Sequence, residues 1–216
     1  MQTLPLFDDT PAVWQEHLGP AARILRAFAH PKVNGLMHAL DAVLAQAPLR
    51  HLVTPGGYTM SVATSSCGHL GWFSDRRGYR YTPIDPASGQ PWPEMPAIFT
   101  ELAQVAAAEA GFPDFEPDAC LINCYRAGAK LSLHQDKDER DFAAPIVSVS
   151  LGMPAIFLWG GLKRGDKVQR TPLQHGDVVV WGGEDRLRYH GVAPLKEAPH
   201  PLLGSRRINL TFRKAG

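Results

Sequence analysis

At 216 residues the chain has room for one domain with a sizeable core, and 44% apolar with 20% charged residues excludes a disordered or fibrous class. The formal net charge is only +1, so no strong global field draws in a polyanion, and any affinity for nucleic acid has to come from a local patch. Three cysteines without a pairing pattern exclude a disulfide framework and fit a reducing compartment, which makes the cytoplasm the expected location.

The chain starts with Asp8 and Asp9 and no basic segment, so no secretory signal is expected there. An amphipathic helix is predicted over 31–47, where Val33, Leu36, Met37, Leu40, Val43 and Leu44 share one face. Residues 54–92 read differently: they are rich in Gly, Tyr, Trp, Arg and Pro, with short strand-like pieces. A second helix is predicted over 96–110, with Ile98, Phe99, Leu102 and Val105 inside and Gly111 closing it. From Pro117 onward, apolar runs punctuated by turn residues predict strands at 119–125, 129–135, 145–151, 155–159, 178–181, 187–192 and 207–213. Many short strands of this kind predict two packed sheets, a jelly roll.

The twenty uncharged residues 143–162 are long enough to invite a membrane span. Two prolines, three glycines and serines at strand spacing argue instead for two core strands joined by a turn at Gly152-Met153-Pro154. Cys120 and Cys124 fall on one face of the strand 119–125, roughly 13 Å apart at the rise of a strand. That is too far to share a zinc, so both are expected as packing residues.

The residues able to carry chemistry cluster later in the chain. His134-Gln135-Asp136 sets an imidazole and a carboxylate at i and i+2 of an extended segment, on one side of it. With His190 arriving from elsewhere, they make the ligand set of the two-His-one-carboxylate triad that holds Fe(II) and leaves positions open. A His-x-Asp pair alone is a weak signal, and a second one stands at His175-Gly176-Asp177. There Gly176 precedes the apolar run Val178–Trp181, which marks a turn feeding a strand.

Arg207, Asn209, Thr211 and Arg213 share one face of the last strand, with Ile208, Leu210 and Phe212 on the other. A guanidinium fork matches a carboxylate bidentately, so the stripe predicts a small dicarboxylate or a carboxylate-bearing site. The plain alternative is an amphipathic edge strand with a solvated charged face. Asn123 and Tyr125 share a face of 119–125, either satisfied by backbone or turned towards a ligand. Trp72 sits among glycines in a polar stretch. Tyr79 and Tyr81 interleave with Arg76, Arg77 and Arg80, a pattern of base stacking and phosphate contact or of a solvated hairpin.

The order His-x-Asp, distal His and Arg-x-Asn-x-Thr-x-Arg resembles the AlkB family, the iron(II)/2-oxoglutarate dioxygenases that dealkylate nucleic-acid bases. So do the stretches TPGGYTMSVA (54–63), CGHLGW (67–72), PDACLIN (117–123), GAKLSLHQDKDE (128–139), APIVSVSLG (144–152), HGDVVVWGG (175–183) and NLTFR (209–213). The likeness runs from about Trp14 to Gly216. It implies an α+β fold: a double-stranded β-helix (jelly roll) core over 117–216, N-terminal helices packed on one sheet, and a nucleotide-recognition lid over 54–92.

The resemblance further implies that His134, Asp136 and His190 bind Fe(II). It implies that Asn123, Tyr125, Arg207, Asn209 and Arg213 hold 2-oxoglutarate, with Arg207 on the far carboxylate. Trp72, Tyr79, Tyr81, Asp138 and Arg164 are implied as substrate contacts, with Lys137 a lesser one. The implied reaction turns an N-methyl group into formaldehyde while the co-substrate becomes succinate and CO2. The implied partner is alkylated single-stranded DNA, with RNA and duplex DNA as further candidates, bound by a monomer without a membrane. The base has to leave its stack to reach the iron, lying between Trp72 and His134. The charge of Asp138 favours a cationic base such as 1-methyladenine or 3-methylcytosine. Thr64, Cys124 and Trp159 depart from the family pattern, and Thr64 falls in the expected lid, where it bears on base preference.

Three other readings stay open at this level: a nucleic-acid-binding module without catalysis, a related dioxygenase acting on a protein or small molecule, and a zinc hydrolase, since two His and an Asp also hold zinc. The aromatic-basic stretch favours nucleic acid over the second, and the twin-arginine strand has no evident use in the third.

Overall fold

The structure, a computed structural model, describes residues 13–216, so the charge pattern at Asp8 and Asp9 lies outside the described residues. The first half contains β1 (Trp14–Gly19), β2 (Ala22–Arg26), α1 (Val33–Gln46), β3 (Arg50–Val53), β4 (Thr59–Gly68), β5 (Gly71–Asp75), β6 (Gly78–Thr82) and α2 (Ala97–Glu109). The second half contains β7 (Ala119–Tyr125), β8 (Leu131–His134), β9 (Ile146–Gly152), β10 (Ala155–Trp159), β11 (Gln169–Leu173), β12 (Val178–Trp181), β13 (His190–Val192) and β14 (Arg207–Arg213).

An eight-stranded sheet in the order β1-β2-β12-β9-β14-β7-β4-β3 faces a four-stranded one in the order β11-β10-β13-β8. β14 is therefore central, antiparallel to β9 on one side and β7 on the other, and the edge-strand alternative falls. Its alternation sends Ile208, Leu210 and Phe212 into the main core. There they meet Val33, Leu36, Leu40 and Val43 of α1 and Phe99, Leu102 and Ala106 of α2. Each of the Val, Leu, Ile and Phe side chains among them contributes about 1.5–3 kcal/mol when fully buried. Both helices thus cover one face of the larger sheet, as expected. Val105 is a correction: it is 49% exposed. At 100° per residue it lies about 120° round α2 from the centre of the buried stripe.

Two apolar clusters occupy the space between the sheets. Leu18, Ile24, Phe157, Trp159 and Trp181 fill it on the β2–β12 side. Val62, Tyr125, Met153, Val192 and Leu195 fill it on the β4–β7 side. The polar stripe of β14 runs between them.

The uncharged stretch 143–162 forms β9 and β10. Gly152 closes β9 at φ +91°, where a Cβ would stand 2.4 Å from the Arg206 carbonyl oxygen. Among the described residues no helix is long and apolar enough to cross a membrane. Cys67, Cys120 and Cys124 are all buried and free.

Other expectations shift. The strand expected at 187–192 shortens to β13, because Asp185 fixes the preceding segment by accepting from the Ala21 amide and pairing with Arg188. β11 was not expected, since polar residues and Pro172 mask it, and it lies at the edge of its sheet, where proline is tolerated. Within 54–92, β4 joins the eight-stranded sheet, and only the β5–β6 hairpin forms a sheet of its own.

Candidate active site

Arg207, Asn209, Thr211 and Arg213 are all buried and face the smaller sheet. In register beside them, β9 sets Ser150 opposite Asn209 and Ser148 opposite Thr211. β7 sets Asn123 opposite Asn209 and Tyr125 opposite Arg207. With residues of β8 and β13, all of these side chains except Ser150 line a cavity of about 550 Å³.

Arg207 is only 2% exposed. Its Nη2 donates to Ser150 Oγ at 2.9 Å and its guanidinium lies 5.0 Å from the Tyr125 ring centroid. Its Nε and Nη1 have no partner among the described residues. Burial pushes its pKa down, yet a guanidinium stays charged in a protein. A buried cation with unpartnered donors is costly unless an anion meets it. A carboxylate reaching the guanidinium on its Nη1 side supplies that anion, so the pocket fits a dicarboxylate such as 2-oxoglutarate.

Arg213 differs, because its anions come from the chain itself. Nε and Nη2 donate to Asp136 Oδ2 at 3.1 and 2.8 Å, and Glu139 Oε1 lies 3.3 Å from Nε. In Asn209, the amide nitrogen donates to Ser148 Oγ (2.8 Å) and the Val149 carbonyl (2.9 Å), and Oδ1 accepts from Thr211 (2.9 Å). It ties the stripe together from within.

His134 ends β8 and His190 opens β13, directly paired across that ladder. Asp136 Oδ1 lies 3.5 Å from His134 Nε2, and Oδ2 lies 3.7 Å from His190 Nε2. The two rings are 4.4 Å apart, and one ligand atom from each of the three residues lies within 4.8 Å of the others. The Nδ1 atoms meet the carbonyls of Ser132 (2.9 Å) and Arg188 (3.0 Å). Those contacts assign the ring hydrogen to Nδ1 and leave Nε2 as the ligand atom. Burial and then His134 push His190 down to about 4, so its ring is neutral at pH 7. Burial opposes ionisation of Asp136, but Arg213 and the two histidines overcome it and hold the carboxyl well below the usual range. Two imidazoles and a carboxylate meeting in one place fit Fe(II).

The second His-x-Asp pair is a structural turn, as its glycine predicts. His175 Nδ1 accepts from the Gly152 amide at 2.9 Å. Asp177 accepts from Arg26 (2.6 Å) and from the amides of Ala27 (2.9 Å) and Gln174 (2.8 Å).

Over the cavity stands the β5–β6 hairpin. Trp72 stacks on Tyr79 with centroids 5.6 Å apart and planes 15° from parallel, and its Nε1 donates to Asp138 Oδ2 at 3.4 Å. Gly71 lets the chain pass under Trp92, whose ring would lie 2.3 Å from a Cβ there. Arg164 lies over the Tyr189 ring at 5.3 Å and also lines the cavity. The expected aromatic-basic cluster divides. Arg76 and Arg77 are exposed at the hairpin turn. Arg80 is instead occupied by Asp75 through two bonds of 2.9 and 2.8 Å, which brace the hairpin across its strands. Tyr81 turns inward and donates to Glu139 Oε1 at 2.8 Å. Thr64 is buried on β4 behind Trp72, beside Arg50, Phe73 and Trp92.

Sequence reasoning missed Glu139, Arg186, Gln135, Ser148 and Ser150. Glu139 had a signal in hindsight: it is the third carboxylate of Asp136-Lys137-Asp138-Glu139, and it alone with Asp136 is buried. The serines carried none, since Ser in an apolar strand reads as filler.

The family model of the 2OG-Fe(II) oxygenase superfamily matches residues 21–213. The chain is 61% identical to the alpha-ketoglutarate-dependent dioxygenase AlkB of Escherichia coli (strain K12), over 99% of this chain and 98% of that one. It is 34% identical to the nucleic acid dioxygenase ALKBH1 of Mus musculus, over 62% of this chain and 31% of that one. The solved structure of OsALKBH1 superposes with a TM-score of 0.79 at 28% identity, covering 93% of this chain and 99% of that one.

Proposed function

Because the chain belongs to the AlkB family of the 2OG-Fe(II) oxygenase superfamily, we propose that it removes alkyl groups oxidatively from bases such as 1-methyladenine and 3-methylcytosine in single-stranded DNA. It is an Fe(II)- and 2-oxoglutarate-dependent dioxygenase. The observation that carries the substrate reading is Trp72, half-buried, stacked on Tyr79 and lining the same cavity as His134, Asp136 and His190.

When bound by His134, Asp136 and His190, iron with 2-oxoglutarate and O2 would supply the oxidant for the N-methyl carbon, with succinate, CO2 and formaldehyde as products. The residues around it do the positioning. His134 and His190 offer Nε2, and Asp136 offers the one anionic ligand. Arg213 holds Asp136 from behind. Arg207 grips the far carboxylate of the co-substrate through its guanidinium, with Asn123 and Tyr125 on the same wall. Trp72 and His134 flank the extruded base. Asp138, already within reach of the Trp72 indole, sets a negative charge where a cationic base enters. Arg164, Arg76 and Arg77 face the phosphates.

RNA and duplex DNA are further candidate substrates, and the proposed acting unit is a monomer. Three buried free thiols suit the reducing cytoplasm. The test is formaldehyde release from a methylated single-stranded oligonucleotide, with and without Fe(II) and 2-oxoglutarate. Release that needs both supports the reading. Conversion of 2-oxoglutarate to succinate without oligonucleotide-derived formaldehyde moves the substrate to a protein or small molecule.

A further inference from the structure

The three candidate metal ligands come from two separate segments, and the strand ladder does not fix all of them. β13 pairs with β8 through His190 and His134, but the register slips between His190 and Val192, and Asp136 lies beyond the end of β8. Two side chains close the gap, one from each segment. Gln135, the middle residue of the His-x-Asp pair, donates from Nε2 to the Leu187 carbonyl at 2.6 Å. Arg186 answers in the opposite direction, donating from Nη1 to the Asp136 carbonyl at 2.9 Å.

Arg186 does more than that one bond. It is 2% exposed, and each of its nitrogens is used. Nε donates to the Ala144 carbonyl at 3.1 Å, and Nη2 lies 3.2 Å from Glu139 Oε2. One planar guanidinium thus pins three points of the loop 136–144. A Lys in its place would supply a charge but no fixed fork. Glu139 is also the acceptor for Tyr81 of the hairpin and a neighbour of Arg213.

We propose that Arg186 and Gln135 are positioning residues for the metal centre. They form a reciprocal brace that holds Asp136 in register with His190, and so fixes the spacing of the ligand atoms. Neither touches substrate or metal. The proposal rests on the metal-site reading of His134, Asp136 and His190.

The test is Co(II) titration of the full chain in the presence of 2-oxoglutarate, read from the visible absorption of the bound ion, beside the melting temperature. The proteins compared are wild type, Arg186→Met, Arg186→Lys and Gln135→Leu. Loss of a residue that orients a ligand weakens metal binding by about 10- to 100-fold. Arg186→Met is expected to show that loss with an altered band shape, Arg186→Lys to recover part of it, and Gln135→Leu to fall between wild type and Arg186→Met. If Arg186→Met does not fold, Gln135→Leu decides, since it removes one hydrogen bond and no charge. A lowered melting temperature with Co(II) affinity and spectrum unchanged in the folded variants overturns the brace. Failure of the wild type itself to bind Co(II) overturns the metal-site reading instead.

Discussion

Arg213 donates twice to one oxygen of Asp136, from Nε at 3.1 Å and Nη2 at 2.8 Å, which leaves Oδ1 turned towards His134. The carboxylate is ionised, oriented and buried by the chain's own cation, in the manner of a ligand held from behind.

Asp136→Ala is therefore expected to lose metal binding and turnover together. Equilibrium metal binding and formaldehyde release check this, and normal turnover with iron supplied rejects Asp136 as a ligand. Asp177→Ala is the contrast. It keeps the metal site, but Arg26 and two backbone amides lose their acceptor. Breaking a buried pair costs roughly 3–5 kcal/mol, so this variant should melt well below wild type while binding metal normally.

Arg207→Lys should raise the 2-oxoglutarate concentration needed for half-maximal turnover. Lys keeps the charge but loses the fork. Loss of one charge-assisted bond of about 1.5–3 kcal/mol corresponds to about tenfold or more. Oligonucleotide affinity should stay close to wild type, because Arg207 opens β14, whereas it is Arg213 at the other end whose partner Glu139 also holds Tyr81 of the hairpin. An unchanged co-substrate requirement moves the clamp to another residue.

His175 predicts a specific acid sensitivity. Its pKa falls to about 4, through burial first and then His200 and His30, and its Nδ1 accepts the Gly152 amide. The unfolded value is about 6.5. A histidine depressed on folding binds more protons when unfolded, so its contribution is intact above about pH 6.5 and is lost as pH falls towards 4. His175→Gln keeps an acceptor for Gly152 and cannot titrate in this range. The drop in melting temperature from pH 7.5 to 5 should be smaller in the variant than in wild type. An equal drop assigns the acid loss elsewhere.

What could be read before any coordinates was whatever a local pattern encodes. The alternation of 207–213 placed four polar groups on one face, and β14 has those bounds. The turn glycine of His175-Gly176-Asp177 separated the structural pair from the one at His134. Side chains that act across the fold were not readable. Arg186 is one of many charged residues until its three acceptors are brought round it, and they come from positions 42 to 50 residues away in sequence. Arg80 failed in the opposite sense. Its composition suggested phosphate, but Asp75 stands across the tight hairpin turn at Arg76-Arg77 and takes it. β1 and β3 were invisible for a related reason: edge strands carry mixed polar patterns that resemble loops.

Trp72→Ala should weaken binding of an alkylated oligonucleotide far more than binding of 2-oxoglutarate. Trp72 is neither core nor free. One face lies against Tyr79, the indole reaches Asp138, and the ring borders both the main cavity and the small space above Thr64. Loss of one base–aromatic stack costs roughly 1–3 kcal/mol, about five- to 150-fold in affinity. A purely structural Trp72 predicts a different result: a lowered melting temperature with oligonucleotide affinity unchanged. Tyr79→Ala adds a control. It removes the outer ring of the stack and leaves the indole, so its affinity loss should be the smaller of the two. If Tyr79→Ala costs as much as Trp72→Ala, the base stacks on the pair as a unit and not on the indole alone. If neither variant changes affinity, the base does not lie under the β5–β6 hairpin.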